Sequence, residues 1–107
     1  MAFLEGAGKK GLKEMIKFAK ESDLVTRGIA GETIIVPIKG GVGDLNAVYT
    51  LNEVGTRIWQ LIDGQTETKQ MVEAIIAEFE VSKEEAEKDI VDYLDSLQAA
   101  GLIKAKD

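Results

Sequence analysis

Residues 49–64 read YTLNEVGTRIWQLIDG and combine the end of a strand with a complete short helix. Asn52 is a typical N-cap, because its short polar side chain can accept a hydrogen bond from the free amides of a first helical turn. Val54 and Ile58 then follow at helical spacing, and Gly64 stands where a glycine commonly ends a helix. The stretch therefore predicts a strand that passes directly into an amphipathic helix.

Two further helices are predicted after this one. Thr66 is the expected N-cap of a second helix, whose apolar stripe ends at Phe79. Ser82 and Glu85 form an S-x-x-E capping box at the start of a third helix, which Gly101 ends. The connections are only a few residues long, which favours compact helix-turn-helix geometry.

Three short extended segments precede the helices. Residues 23–29 and 33–38 are rich in β-branched side chains, and a turn at residues 30–32 separates them. Residues 47–51 supply a third strand. The glycine-rich residues 39–44 predict a hairpin connection rather than a phosphate loop, because they lack the Walker and dinucleotide spacings. The expected fold is α+β and winged helix-turn-helix-like, with a three-stranded antiparallel meander followed by a three-helix bundle.

An extra N-terminal helix is predicted over residues 12–22, where apolar residues recur at helical spacing with lysines between them. The expected domain organisation is a tail and amphipathic helix over residues 1–22, followed by a winged-helix domain over residues 23–107. This helix is expected to cover apolar surface on the domain or on a second copy. The alternative is that it lies on an anionic membrane.

The chain of 107 residues has no cysteine and no histidine. Disulfides, thiolate nucleophiles, Cys/His metal sites and the commonest general base are therefore excluded. Carboxylate-only chemistry needs a cleft that a domain of this size rarely provides. We therefore expect a binding module that is not an enzyme and has no cofactor. No apolar run approaches the roughly 20 residues of a membrane span, and no signal peptide is evident, so a cytoplasmic location is expected.

The charge of the chain is unevenly distributed. Five lysines against two glutamates give residues 1–20 a net charge of +3, which leaves −9 for the rest of a chain whose total is −6. An acidic body repels the phosphate backbone, so nucleic acid is not an expected partner.

The order of these motifs resembles that of the PqqD family. The resemblance rests on LNEVG at residues 51–55, on Ile58 and Trp59, on DG at residues 63–64, and on the closing AGLI at residues 100–103. Residues 25–27 and 31–38 are also similar to the strand region of stand-alone family members. The predicted N-terminal helix lies outside the resemblance.

The resemblance implies a function in peptide maturation. PqqD-like domains are recognition elements for ribosomally synthesised, post-translationally modified peptides. They bind the leader of a precursor peptide and present it to a modifying enzyme, often a radical-SAM protein. The founding member acts in pyrroloquinoline quinone (PQQ) biosynthesis, so this pathway or a related one is implied. The expected partners are thus a precursor leader peptide and a modifying enzyme.

The third strand offers a docking edge for such a peptide. In a sequential meander this strand lies at a sheet edge, where its unpaired backbone groups can accept an extended peptide as a further strand. The predicted edge residues are Val48, Tyr49 and Thr50. The resemblance implies that the third helix forms the opposite wall of the groove. The contacts predicted from that wall are Glu87, Val91, Leu94 and Asp95. Acidic positions there suit a peptide with Lys or Arg.

Several of these residues also have a purely structural explanation. Trp59 is expected in the core, Tyr49 is equally compatible with core or groove, and the acidic run at residues 84–89 is typical of a solvated helix face. Two other functions stay open. The first is a protein-interaction or dimerisation scaffold, with a possible homodimer formed through exposed strand edges. The second is a winged-helix DNA-binding regulator, which the acidic third helix disfavours.

Overall fold

The computed structural model describes residues 15–43 and 47–106. Its elements are β1 (Lys17–Lys20), β2 (Leu24–Ile29), β3 (Glu32–Lys39), β4 (Val42–Gly43), β5 (Tyr49–Leu51), α1 (Glu53–Leu61), α2 (Thr68–Glu78), α3 (Lys83–Ala99) and β6 (Ile103–Lys106). These elements confirm the mixed α+β class, with three helices and antiparallel sheets in the described residues.

Strand β3 is the centre of the main sheet. On one side it pairs antiparallel with β2, from Ile29 opposite Glu32 to Leu24 opposite Pro37. On its other side it pairs antiparallel with β5, from Thr33 opposite Leu51 to Ile35 opposite Tyr49. Strands β2, β3 and β5 are therefore antiparallel neighbours, and together with β4 they form a four-stranded sheet in which β5 pairs with β3 alone among the described strands.

Two tight turns shape this sheet. Ala30 and Gly31 connect β2 to β3 with φ angles of 51° and 82°, and Gly40 and Gly41 connect β3 to β4 with φ angles of 59° and 80°. Two consecutive positive φ angles are typical of the two-residue turns whose twist matches that of paired strands. The glycine-rich stretch is thus a hairpin turn as predicted, whereas the short strand β4 was not expected.

Two of the three predicted N-cap residues are observed at the starts of their helices. Asn52 Oδ1 accepts a hydrogen bond from the Gly55 amide at 2.8 Å, and Ser82 Oγ accepts one from the Glu85 amide at 3.1 Å. These two N-caps are confirmed. The third helix also ends as predicted, with Gly101 at φ 77°.

The prediction of Thr66 as N-cap of the second helix is wrong. The N-cap of α2 is Glu67, whose amide donates to Gln70 Oε1 at 2.8 Å. The amide and hydroxyl of Thr66 instead donate to the Asp63 carboxylate at 2.8 and 3.1 Å. Asp63 also accepts a hydrogen bond from the Gln65 amide and so holds the α1–α2 loop together. Since Thr66 is bound to Asp63, the N-cap of α2 is Glu67.

The predicted helix over residues 12–22 is wrong for Lys17–Lys20, which form β1. This strand pairs antiparallel with β6, from Lys17 opposite Lys106 to Lys20 opposite Ile103. Residues 12–14 of the prediction lie outside the described residues. Phe18, in the middle of β1, is buried in the same core as the helices. Pairing with a distant strand therefore overrides the local helical periodicity. The domain division at residue 22 stays a prediction.

The core lies between the main sheet, the three helices and β6. Its fully buried large side chains are Ile35, Leu51, Ile58, Ile62, Met71, Ile75, Ile90, Leu97, Leu102 and Ile103. Each such side chain contributes about 1.5–3 kcal/mol through burial. Trp59 is 5% exposed, which confirms it as a core residue, and the Lys20 ammonium lies 5.0 Å from the centroid of its ring.

Candidate functional site

Strand β5 has one edge that faces away from β3. Among residues 15–43 and 47–106, no strand pairs with it. Val48 precedes the strand and is 42% exposed, and Thr50 is exposed as well. A strand edge without a paired neighbour can accept an added strand through its backbone. At the end of β5 the Leu51 carbonyl accepts a hydrogen bond from the Thr56 hydroxyl at 3.4 Å.

Tyr49 points from this edge towards the helices. Alternate residues of a strand face the same side of the sheet, so Tyr49 shares its side with Leu51, which is fully buried. Tyr49 is half-buried and packs against the core cluster. Thr50 points to the other side of the sheet. Of the three predicted edge residues, Tyr49 is thus the one that reaches the space between β5 and the helices.

Tyr93 of α3 lies at the start of α1, directly after β5. Its hydroxyl donates a hydrogen bond to Asn52 Oδ1 at 2.7 Å, so Asn52 accepts from both Tyr93 and the first turn of α1. The ring of Tyr93 covers Gly55, where an added Cβ would stand 2.8 Å from Tyr93 Cε1. Gly55 therefore permits α3 to approach α1 closely, and the absence of a side chain there positions Tyr93.

The electrostatic surroundings of Tyr93 identify two further members of this region. Partial burial raises the pKa of the Tyr93 phenol, and the Asp89 carboxylate and the Tyr49 phenol raise it further, while the hydrogen bond to Asn52 lowers it. Asp89 and Tyr93 are one turn apart on α3 and so share one flank of the helix. We call the set of Tyr49, Asn52, Asp89 and Tyr93 the tyrosine face. It adjoins the open edge of β5.

The contacts predicted from the third helix lie on its opposite flank. Val91, Leu94 and Asp95 line a cavity of about 110 Å³. Its other walls are Ile16, Phe18, Thr68, Gln98 and Ala105, which belong to the β1, α2, α3 and β6 side of the molecule and include no residue of β5.

Helix geometry explains the separation of the two flanks. An α-helix turns about 100° per residue, so positions two apart lie about 200° apart around its axis. Asp89 and Tyr93 therefore point away from Val91 and Asp95, and Glu87 lies one turn before Val91 on the cavity side. The residues that line the cavity beside Val91, Leu94 and Asp95 do not include Val48, Tyr49 or Thr50.

The cavity is small and apolar. Sites for drug-sized ligands measure roughly 300–1,000 Å³, whereas an apolar cavity of about 150 Å³ holds a single benzene. The Thr68 hydroxyl in its wall donates to the Ile16 carbonyl at 3.0 Å. No buried side-chain nitrogen or oxygen of the described residues lacks a hydrogen-bond partner. The cavity thus suits one apolar side chain rather than a cofactor.

Neither a metal centre nor a membrane span is found in the described ranges. No cluster of three acidic side chains there is arranged to hold a metal ion, and none of the described helices has the length and hydropathy to cross a bilayer.

Sequence reasoning missed Asn52, Asp89 and Tyr93 as members of a site. The signal was the coincidence of an N-cap, a glycine three residues later, and an i, i+4 pair of an acid and an aromatic residue on α3. Only packing shows that Tyr93 fills the space that Gly55 leaves.

The sequence of this chain matches the model of a known protein family. The family model described as "Coenzyme PQQ synthesis protein D (PqqD)" matches residues 32–103. The match covers about two thirds of the chain and contains β3, β5 and all three helices. This chain belongs to the PqqD family. The resemblance seen in the LNEVG and AGLI motifs is thereby confirmed, while β1, β2 and most of β6 lie outside the residues that match the PqqD model.

A solved structure gives a comparison in three dimensions. The structure of TbiB1 in complex with the TbiA(beta) leader peptide is similar to this PqqD-family chain, with a TM-score of 0.67 and 27% sequence identity. The similarity covers 80% of this chain and 94% of TbiB1. Among curated proteins, no significant match is found.

Proposed function

We propose that this PqqD-family protein is a non-catalytic module that binds the leader of a ribosomally synthesised precursor peptide. The leader adds as a strand to the open edge of β5, and the protein presents it to a modifying enzyme of the radical-SAM type. The open edge beside the tyrosine face is the observation that carries this proposal. The fold shared with TbiB1, whose structure contains a leader peptide, supports it.

Backbone pairing and side-chain recognition have different roles in this mechanism. Hydrogen bonds to β5 hold any extended peptide, whatever its sequence. Alternate side chains of the added strand face the helices, as Tyr49 does. There they meet the phenol rings of Tyr49 and Tyr93 and the Asp89 carboxylate. Aromatic faces and a carboxylate both attract a cation, so the leader carries Lys or Arg at the position that enters this region.

The cavity flank of α3 is a separate contact region. Contacts of the leader with Glu87, Val91, Leu94 and Asp95 stay a prediction, because a peptide that follows β5 meets Asp89 and Tyr93 first. To reach the cavity, the same peptide has to continue past α3 and insert an apolar side chain between Phe18 and Leu94. Charge reversal on each flank distinguishes the two regions.

The test uses a synthetic peptide with the leader sequence of the precursor encoded beside the gene for this protein. Its affinity is measured by calorimetry for the wild-type protein, Asp89→Lys and Asp95→Lys. Both variants change the charge of α3 by the same amount, so they control for each other. We expect Asp89→Lys to weaken binding at least about tenfold, equal to 1.4 kcal/mol, and Asp95→Lys to change it much less. The reverse order would move the site to the cavity flank, and absence of wild-type binding would refute leader recognition.

The DNA-binding alternative is disfavoured by α3 itself. A helix that reads DNA needs basic or amide side chains towards the phosphates and bases. The Lys88 ammonium on α3 lies 3.3 Å from the Asp92 carboxylate, and acidic residues outnumber the two lysines of this helix. The winged helix-turn-helix-like description of the β2–β3–β5 meander and the three helices is part of our proposal, without the DNA-binding function. So is a place in the biosynthesis of PQQ or another peptide-derived product.

A further inference from the structure

The main sheet has a second apolar side, turned away from the helices. Thr33 and Ile35 of β3 are buried towards the helices, so the residues between and beyond them point outwards. The register then places Val25, Arg27 and Ile29 of β2 on the same outward side. We call this surface the outer face. Its members are Val25, Arg27, Ile29, Glu32, Ile34, Val36, Ile38 and Thr50.

The outer face does not have the composition of a solvated sheet surface. An antiparallel sheet with one face in water alternates apolar and polar residues, whereas the outward-facing Ile34, Val36 and Ile38 of β3 are all apolar. Val25 and Ile29 are 48% and 54% exposed. Ile34, Val36 and Ile38 between and beside them are half-buried. Apolar surface that is partly exposed on neighbouring strands can mark an interaction site. The outward side of β3 is thus more apolar than that of a fully solvated strand.

The two charged residues of the outer face complement each other. Arg27 and Glu32 have opposite charges and lie on neighbouring strands, yet no ion pair joins them within the described part of the chain. The outer face is therefore neutral in a chain with a net charge of −6. Two copies can bring such faces together without net repulsion. A two-fold axis between them lets Arg27 of each copy approach Glu32 of the other, because each contact across such an axis occurs twice.

We propose that two copies of this chain associate through their outer faces as a two-fold symmetric sandwich of sheets. Facing sheets pack about 10 Å apart with interdigitated side chains, which the valines and isoleucines of this face provide. Tyr49 points to the opposite side of the sheet, so the tyrosine face and the open edge of β5 remain accessible. If the leader binds at β5, the dimer offers two leader sites. That consequence rests on the proposed function, while the association itself does not.

The first test measures the mass of the full chain in solution by sedimentation equilibrium over about a hundredfold range of concentration. We expect a reversible rise from the chain mass of 11.6 kDa to twice that value. Val25→Glu combined with Ile29→Glu raises the dissociation constant at least about tenfold. Val42→Glu combined with Ile76→Glu is the matched control, because both residues are exposed apolar side chains outside the outer face. The control pair leaves the dissociation constant unchanged.

The second test exchanges the charges. Arg27→Glu alone and Glu32→Arg alone each weaken self-association, because like charges then meet across the axis. An equimolar mixture of the two variants forms a mixed dimer, since each variant carries the charge that the other lacks. Neither change touches a buried residue, so both variants are expected to keep the far-UV circular dichroism of the wild type. A wild-type chain that stays monomeric, equal effects of the two double variants, or a mixture that fails to associate would overturn the proposal.

Discussion

Because Tyr93 packs against Gly55, we expect Gly55→Ala to destabilise the wild-type protein but to stabilise a variant that lacks the Tyr93 side chain. Gly55 lies in α1, where alanine is normally favoured over glycine by about 1 kcal/mol. An added Cβ would, however, stand 2.8 Å from Tyr93 Cε1 and 2.9 Å from Tyr93 Cζ. Gly55→Ala therefore forces the ring outwards and strains its 2.7 Å hydrogen bond to Asn52.

The magnitude follows from two opposing contributions. Overpacking costs about 1–3 kcal/mol, and the helix propensity of alanine returns about 1 kcal/mol. We expect Gly55→Ala to lower the free energy of unfolding by about 1 kcal/mol in the wild-type background. In a Tyr93→Ala background the clash is absent, and the same substitution should raise the free energy of unfolding by about 1 kcal/mol.

The assay is urea denaturation followed by circular dichroism for the four members of this double-mutant cycle. Gly28→Ala is the control, because the space at Gly28 in β2 is open and the nearest atom to an added Cβ is 3.9 Å away. We expect Gly28→Ala to be neutral or slightly stabilising. An effect of Gly55→Ala with the same sign in both backgrounds would show that Tyr93 does not depend on the glycine.

Three further predictions concern the surroundings of the core. Asp63→Ala should cost about 1 kcal/mol near neutral pH, because it removes the acceptor for two loop amides and the Thr66 hydroxyl. Those hydrogen bonds lower the pKa of Asp63, so the stability that its carboxylate contributes is complete above the ordinary pKa range of a carboxyl group. This stability is lost as the pH falls through the pKa of Asp63 in the folded protein. Denaturation of the wild type and of Asp63→Ala at several acidic pH values checks this. Partial burial lowers the pKa of Lys20, whose ammonium lies over the Trp59 ring. We therefore expect the fluorescence of Trp59 to change at an alkaline pH below the ordinary lysine pKa, as Lys20 loses its proton. Lys20→Met should abolish this change. Gly101→Ala should lower the free energy of unfolding by about 1–2 kcal/mol, because a left-handed φ of 77° disfavours a side chain; thermal denaturation measures this.

Features fixed by neighbouring residues could be predicted from the sequence. The caps at Asn52 and Ser82 depend on hydrogen bonds that span three residues, and the end of α3 at Gly101 depends on one backbone angle. The strand β1 could not be predicted, because its partner β6 lies at the other end of the chain. Between Thr66 and Glu67, the choice of N-cap depends on the Asp63 carboxylate, which competes for the Thr66 amide.

The candidate site shows the same limit of sequence reasoning. The third extended segment was expected at the edge of the sheet, and β5 pairs with β3 alone among the described strands. On α3, however, Asp89 with Tyr93 and Val91 with Asp95 are both i, i+4 pairs, and periodicity does not say which pair faces β5. The contacts of Tyr93 with Gly55 and Asn52 support the proposal that Asp89 and Tyr93 face β5, and these contacts join residues far apart in the chain.

Addition of a leader peptide to β5 is the central step of the proposed function. Amide hydrogen exchange of the ¹⁵N-labelled protein, with and without the synthetic leader, measures this residue by residue. Alternate amides between residues 48 and 51 should exchange more slowly when the leader is bound, because only those that point away from β3 gain a partner. Amides of β2 should keep their rates. A leader that binds without slowing exchange at residues 48–51 would contradict the account.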